Sequence, residues 1–168
     1  MVVWPLVGVE ELPGRMRRSF ELVDTMYAAE GWMYRSWDSF GVMSLIPPDA
    51  GERLHEIDVL VARAIAAITP DAGARYGRFW AWIDQRLPVE PHWLLDQVAV
   101  DPVAQGRGIG TALIRFALAR ASADGKPLVL ATGVARNVAY YEGFGFTVMS
   151  DADAPGSGPH VWFMRLDR

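Results

Sequence analysis

Gln105-Gly106-Arg107-Gly108-Ile109-Gly110-Thr111-Ala112 decides how this chain is read. Ahead of it stands an apolar run, Trp93-Leu94-Leu95-Asp96-Gln97-Val98-Ala99-Val100, that reads as a strand. Behind it, Ile109 to Ala123 carries Ile109, Ala112, Leu113 and Phe116 at helical spacing, and Asp124-Gly125 ends the run. Glycines at 106, 108 and 110 lack the Cβ that would hold a ligand away from the backbone. The first turn of a helix adds free N–H groups and a partial positive charge. Strand, glycine turn and helix start together predict a phosphate site built from main chain; the alternative is a glycine-rich turn that binds nothing. Two common phosphate motifs fail. A Walker loop needs Lys and then Ser or Thr after its last glycine, whereas Thr111-Ala112 follow Gly110. The fingerprint Gly-x-Gly-x-x-Gly meets Thr111 when counted from Gly106 and Leu113 when counted from Gly108.

Length and composition set the frame. The 168 residues suit one domain with a substantial core, and 51% hydrophobic content with 21% charge is a globular profile. A formal charge of −4 and the absence of any Lys/Arg run argue against nucleic acid as a partner. With no cysteine, disulfides, thiolate metal sites and an acyl-cysteine intermediate are excluded. His55, His92 and His160 lack metal-binding spacing, so no metal is expected. No apolar run is long enough to span a bilayer, and the opening Met1 to Val7 lacks a basic lead, so no membrane role and a cytoplasmic location are expected.

Along the chain, Arg15 to Ala29 reads as a helix with Met16, Phe20, Val23 and Tyr27 on one face, stopped by Gly31. Trp32 to Ser36 and Phe40 to Ile46 read as a hairpin around Trp37-Asp38-Ser39, closed by Pro47-Pro48. Asp49 with Glu52 predicts a capping-box start for a helix burying Leu54, Ile57, Val61, Ala64, Ile65 and Ile68. Pro70-Asp71 starts another, with Tyr76, Phe79, Trp80, Ile83 and Leu87 on one stripe. After the glycine loop come a strand at Leu128 to Thr132, a short helix near Asn137 to Gly143, and a hairpin of Phe146 to Ser150 with His160 to Leu166. Alternating strands and helices with a terminal hairpin predict a mixed α/β sheet.

The pattern Gln-x-x-Gly-x-Gly after a strand ending Val-Asp-Pro resembles the acetyl-CoA pyrophosphate loop of the GNAT superfamily of N-acetyltransferases. Arg136-Asn137-Val138-Ala139-Tyr140-Tyr141-Glu142-Gly143-Phe144-Gly145-Phe146 resembles the superfamily's second signature, a short helix ending Tyr-Glu-x-x-Gly-Phe. The two stand in the family's order with the expected strand between them. His92-Trp93 and the tail Pro155 to Met164 resemble the puromycin N-acetyltransferase subgroup. The resemblance runs from about Arg15 to the C-terminus and is densest after His92. It implies the GNAT fold, a mixed central β-sheet flanked by helices, as a single domain over residues 1–168. One departure concerns the start: only about fourteen residues precede the first helix, where the family has an extra strand and helix, so these are expected to be missing or remodelled.

The resemblance also assigns roles. Main-chain amides of Gln105, Gly106, Arg107, Gly108, Ile109, Gly110 and Thr111 would hold the pyrophosphate of acetyl-CoA, with Arg107 adding charge or standing solvated. Val98, Ala99 and Val100 would pair with the pantetheine arm, and the Val98 amide would polarise the thioester carbonyl; the alternative is an ordinary buried strand. Asp96 stands where many family members carry Glu, and a carboxylate within Leu94-Leu95-Asp96-Gln97-Val98 is either a general base raised by burial or a hydrogen-bonded structural Asp. Glu90 and His92 are weaker base candidates. Tyr141 matches the family's general acid, the alternative being a packed amphipathic aromatic. Tyr140 packs or lines the pocket, and Asn137 bonds the pantetheine or caps its helix. Val134 replaces a second Asn common in the family. Trp32, Trp80, Trp82 and Trp93 fill the core or line an aromatic acceptor cavity. The expected activity is acetyl transfer to the amine of a small molecule by direct ternary-complex transfer. The alternatives are a non-catalytic acyl-CoA sensor and a protein or peptide N-acetyltransferase. An exposed sheet edge at the start would also permit a homodimer.

Overall fold

The computed structural model describes residues 12–167. Helix α1 (Leu12–Ala29) leads into a hairpin of β1 (Met33–Arg35) and β2 (Gly41–Ile46). Helices α2 (Gly51–Ile68) and α3 (Ala74–Asp84) follow, then β3 (Trp93–Val100), a 3₁₀ turn at Pro102–Ala104, and α4 (Ile109–Ala123). The chain ends with β4 (Leu128–Thr132), α5 (Ala135–Glu142), β5 (Thr147–Asp153) and β6 (His160–Leu166). The expectation for the residues before Leu12 falls outside the described range, as does the side chain of Met16.

The strands form one sheet in the order β1-β2-β3-β4-β6-β5. Among the described strands β3 and β4 alone run parallel, joined by a crossover through α4; the other neighbours are antiparallel. Period-two alternation sends each strand's apolar residues to two faces. On one face Met43, Leu45, Trp93, Leu95, Leu128, Leu130, Met164 and Leu166 pack under Leu113, Ile114, Ala117 and Ala121 of α4, with Val138 and Tyr141 of α5 at the margin. The other face has two clusters. Tyr27, Trp32 and Ile46 meet Ile57, Val61 and Ile65 of α2, while Phe79 and Ile83 of α3 meet Val161 and Phe163. Each fully buried large side chain contributes about 1.5–3 kcal/mol, so three such clusters hold the helices in place.

Two irregularities position the site. The first is a bulge: Ser44 pairs with Gln97 and Leu45 with Leu95, leaving Asp96 as an extra residue on β3. Its effect is a change of parity, because Trp93 and Leu95 face α4 and so does Val98, three residues further on. The second is a splay. β3 and β4 pair only at Trp93–Leu128 and Leu94–Val129, yet β3 runs on to Val100 and β4 to Thr132. Beyond Leu94 a gap opens between their edges.

Several local expectations are corrected. Asp49 makes no capping box, because α2 starts one residue later, from Ala50 in helical conformation with no side-chain cap. Pro70-Asp71 opens a turn, and α3 begins at Ala74 after Gly73 at φ +76°. Asn137 is not a cap; Val134 holds that position of α5. Phe146 precedes β5 and is buried in the core, while β5 extends to Asp153. Trp32 and Trp93 are core residues, and Trp80 and Trp82 pack on the third cluster.

Candidate active site

The glycine loop lies open. Gly106 and Gly108 have φ of +78° and +81°, a conformation L side chains rarely adopt, and no atom stands within 4 Å of where a Cβ would project from either. Gly108 is the residue before α4, and the first helical backbone bond is Ala112 N–H to the Gly108 carbonyl. The amides of Ile109, Gly110 and Thr111 therefore lack intrahelical acceptors. Gln105 to Gly108 are exposed and Ile109 to Thr111 half-buried. The Gln105 side chain donates to the Val100 carbonyl at 3.1 Å and Arg107 to the Val103 carbonyl at 3.2 Å, so these side chains brace the loop. Arg107 also acts electrostatically on Asp38 in the β1–β2 turn. No other element fills the space in front of these amides at the two glycines, and the cradle fits a diphosphate.

Backbone direction along β3 follows from its two ends. Trp93 N–H donates to the Pro127 carbonyl, on the β4 side, whereas Asp101 N–H donates to Phe40, on the β2 side. Alternation back from Asp101 directs Ala99 toward β2 and both Val98 and Val100 into the gap, the Asp96 bulge accounting for the switch from odd to even positions. The gap thus presents main-chain groups of Val98 and Val100, the pattern that an extended ligand arm would meet as a strand.

Asp96 emerges from the bulge onto the face covered by α1, α2 and α3. Ser44, fully buried, donates its hydroxyl to Asp96 Oδ2 at 3.3 Å. Burial pushes the Asp96 carboxyl up to about 6, with Asp24 adding to the rise, while hydrogen bonds from Gln97 and Ser44 oppose it. Tyr141 sits on α5, its ring edge-on to Phe146 at 5.7 Å, and burial with Tyr140 beside it raises its hydroxyl above the ordinary range. Asn137 Nδ2 donates to Thr132 Oγ1 at 3.3 Å, at the C-terminal end of β4. Glu90 and His92 are at the far end of β3 from the loop. Glu90 is ion-paired with Arg165, which holds its carboxyl below the usual range, and His92 Nδ1 contacts the Glu90 carbonyl oxygen. That placement removes both as base candidates.

Three features escaped sequence reasoning. Tyr140 reaches across to α4, its hydroxyl 3.2 Å from Thr111 Oγ1. Gly41 lets the first turn of α4 approach the sheet, since a Cβ there would meet Ile109 Cγ2 at 2.5 Å. Asp58 stands at helical spacing with Leu54, Val61 and Ile65; a charge on that apolar stripe was the available signal. Among the described residues no group of three or more His, Cys, Asp or Glu is placed to hold a metal ion, and no helix is long and apolar enough to cross a membrane.

Known proteins share this architecture. A structure of histone acetyltransferase HPA2 and related acetyltransferase from Corynebacterium glutamicum is 25% identical, covering 98% of this chain and 80% of its own, at a TM-score of 0.66. Drosophila melanogaster polyamine N-acetyltransferase, an enzyme that catalyses formation of N-acetylagmatine, is 15% identical over 84% of this chain and 77% of its own, at 0.59. A putative GNAT-family acetyltransferase from Desulfovibrio desulfuricans is 21% identical over 88% and 77%, at 0.52. The last two share the fold. The family described as acetyltransferase (GNAT) domain matches residues 56–148, more than half of the 168. The protein belongs to the GNAT family of acetyl-CoA-dependent acetyltransferases.

Proposed function

We propose that this acetyltransferase moves an acetyl group to the amine of a small molecule by direct transfer within a ternary complex, with Asp96 as base and Tyr141 as acid. The observation that carries the reading is Asp96 itself: a bulge delivers it beside the strand gap, and burial pushes its carboxyl up to about 6. A group with this pKa is largely ionised at neutral pH yet basic enough to accept a proton. The resemblance of the tail to puromycin-type enzymes favours a small acceptor over a peptide.

Acetyl-CoA, when bound, supplies an activated thioester carbonyl. The amides from Gln105 to Thr111 hold its diphosphate, Val98 to Val100 align its arm along β3, and Asn137 reaches the arm from α5. Val98 N–H donates to the carbonyl oxygen as charge builds there. Asp96 takes a proton from the acceptor ammonium, directly or through one water, freeing the nitrogen lone pair to form the C–N bond. As the C–S bond breaks, Tyr141 gives its proton to sulfur and regains one from the newly bonded nitrogen, which sheds its second proton to become the amide; its raised pKa keeps the hydroxyl protonated until that moment.

Calorimetric titration with acetyl-CoA, followed by thiol release on a panel of small amines and of peptides, tests this. Binding with turnover on small amines supports it; no binding at millimolar acetyl-CoA, or turnover confined to peptides, overturns it.

A further inference from the structure

Tyr140 carries a hydroxyl that packing does not explain. Its ring stands edge-on to Phe144 at 5.2 Å and beside Tyr141 at 5.7 Å, contacts that a phenylalanine would make equally well. At 44% exposure the side chain could leave its hydroxyl in water. Instead the hydroxyl reaches another helix and lies 3.2 Å from Thr111 Oγ1. A hydrogen bond between two groups that water can also reach adds little to stability, because water competes for both partners.

The place it reaches is the start of α4. Thr111 is the third residue of that helix, and the amides of Ile109, Gly110 and Thr111 lack intrahelical acceptors. A Cβ on Gly110 would lie 3.6 Å from the Tyr140 hydroxyl and 3.6 Å from Val100 Cγ2. The hydroxyl therefore stands over the first turn of α4, close to the end of β3. Helix α4 follows β3 and α5 follows β4, and these two strands part beyond Leu94. The Tyr140–Thr111 hydrogen bond thus spans the mouth of the strand gap, where an arm lying along β3 would meet the glycine loop.

Counting protons gives the pair a spare donor. Each hydroxyl carries one proton, and the hydrogen bond between them uses one of the two. Whichever oxygen donates within the pair, the proton of the other remains to be given. A hydroxyl that accepts one hydrogen bond also donates a stronger one. A diphosphate, charged and rich in acceptors, is the group that such a donor suits beside open helix amides.

We propose that Tyr140 is a further binding residue for the acyl donor, its hydroxyl and that of Thr111 acting as one unit that donates to the coenzyme's diphosphate at the mouth of the strand gap. This rests on the placement of the diphosphate proposed above. The loop and α5 then hold one ligand group between them.

The test is calorimetric titration of the wild type, Tyr140→Phe, Thr111→Val and the double variant with CoA and with 3′-dephospho-CoA, beside a thermal melt of each chain. Tyr140→Phe keeps the ring, and Thr111→Val keeps the branched shape and the main-chain amide, so each removes a hydroxyl alone. Each single variant binds CoA about tenfold more weakly, as loss of a hydrogen bond to a charged group implies. The loss is as large for 3′-dephospho-CoA, which retains the diphosphate. The double variant binds at most about twofold more weakly than either single variant, because the hydroxyls act together. In the phosphorus NMR spectrum of bound CoA, Tyr140→Phe shifts the diphosphate resonances and leaves that of the 3′-phosphate in place. Unchanged affinity in Tyr140→Phe, a loss that disappears with 3′-dephospho-CoA, or losses that multiply in the double variant overturns the proposal. So does weaker binding that comes with a lower melting temperature and unmoved diphosphate resonances, the mark of a structural role alone. A wild type that fails to bind CoA at millimolar concentration removes the reading of the loop together with this one. Wild-type binding with an indifferent Tyr140→Phe removes this one and leaves the loop standing.

Discussion

Ser44 and Asp96 meet where the β2–β3 ladder loses its register, and the Ser44 hydroxyl donates to Asp96 Oδ2 at 3.3 Å. The hydrogen bond favours the ionised carboxylate and burial disfavours it; burial wins, and the group titrates at about 6. The facing groups are Asp24 from α1, Asp58 from α2, Tyr27 and Tyr76, with Gln97 on its own strand. A base must be ionised to act, so kcat/KM rises with pH up to about 6 and levels off above it. Ser44→Ala removes a donor to the charged form and moves this limb to higher pH. Asp96→Asn abolishes the limb and lowers kcat/KM by roughly 10²–10⁴. A pH–rate profile from pH 5 to 9 checks all three; a limb unmoved in Asp96→Asn would assign the titration to another group.

The same shift has a stability consequence of known sign. Asp96 binds its proton more tightly folded than unfolded, so between about 4 and 6 the native state holds more protons and stability falls as pH rises. Above that window the cost is constant; below it the cost vanishes. Asp96→Asn is therefore stabilising by on the order of 1–2 kcal/mol at pH 7.5 and near neutral at pH 3.5. Urea midpoints at the two pH values, with unchanged slope, give the comparison.

Tyr141 offers a cleaner separation of binding from chemistry. Its ring packs against Phe146, a contact that Tyr141→Phe preserves, and only the hydroxyl is lost. The variant keeps acetyl-CoA affinity within about twofold and loses kcat by roughly 10²-fold, the effect of removing a general acid. Because the Tyr141 hydroxyl is raised above its ordinary range, the wild-type rate does not fall on the alkaline side below about pH 10. Wild-type kcat retained in Tyr141→Phe would leave the ring with a packing role alone.

The sequence carried the order of elements because its punctuation is strong: Gly31, Pro47-Pro48, Pro70-Asp71 and Asp124-Gly125 each separate one periodic run from the next. The loop was legible because positive-φ glycines and a helix start are local facts. The bulge was not. Leu94, Leu95, Val98 and Val100 are apolar on both sides of it, so no break in alternation shows in the letters; the parity change depends on what β2 does opposite. Asp49 misled because a capping box requires extended backbone at the residue before the helix, and Ala50 there is already helical.

Gly108 ties backbone conformation to ligand affinity. At φ +81° a Cβ is strained by about 1 kcal/mol, and the space it would enter at the start of α4 is open to a ligand, with no atom within 4 Å. Gly108→Ala thus costs about 1 kcal/mol of stability and more than about tenfold in acetyl-CoA affinity, two losses with separate readouts in a denaturant melt and a calorimetric titration. A loss of stability with affinity unchanged would show that the ligand does not approach this face of the loop.

Gly41 holds α4 against the sheet from beneath. An added Cβ would stand 2.5 Å from Ile109 Cγ2 and 3.1 Å from Leu113 Cδ1, and the β-branched Ile109 has little rotamer freedom in a helix with which to yield. Gly41→Ala therefore displaces the first turn of α4, costing about 1–3 kcal/mol as overpacking does, and weakens acetyl-CoA binding because Ile109, Gly110 and Thr111 move with that turn. Truncating the colliding partner relieves it. In the double variant Gly41→Ala/Ile109→Ala the cost is smaller than the sum of the single changes by more than about 0.5 kcal/mol. Strict additivity in that cycle would mean that the two positions do not press on each other, and that the helix start is positioned by other contacts.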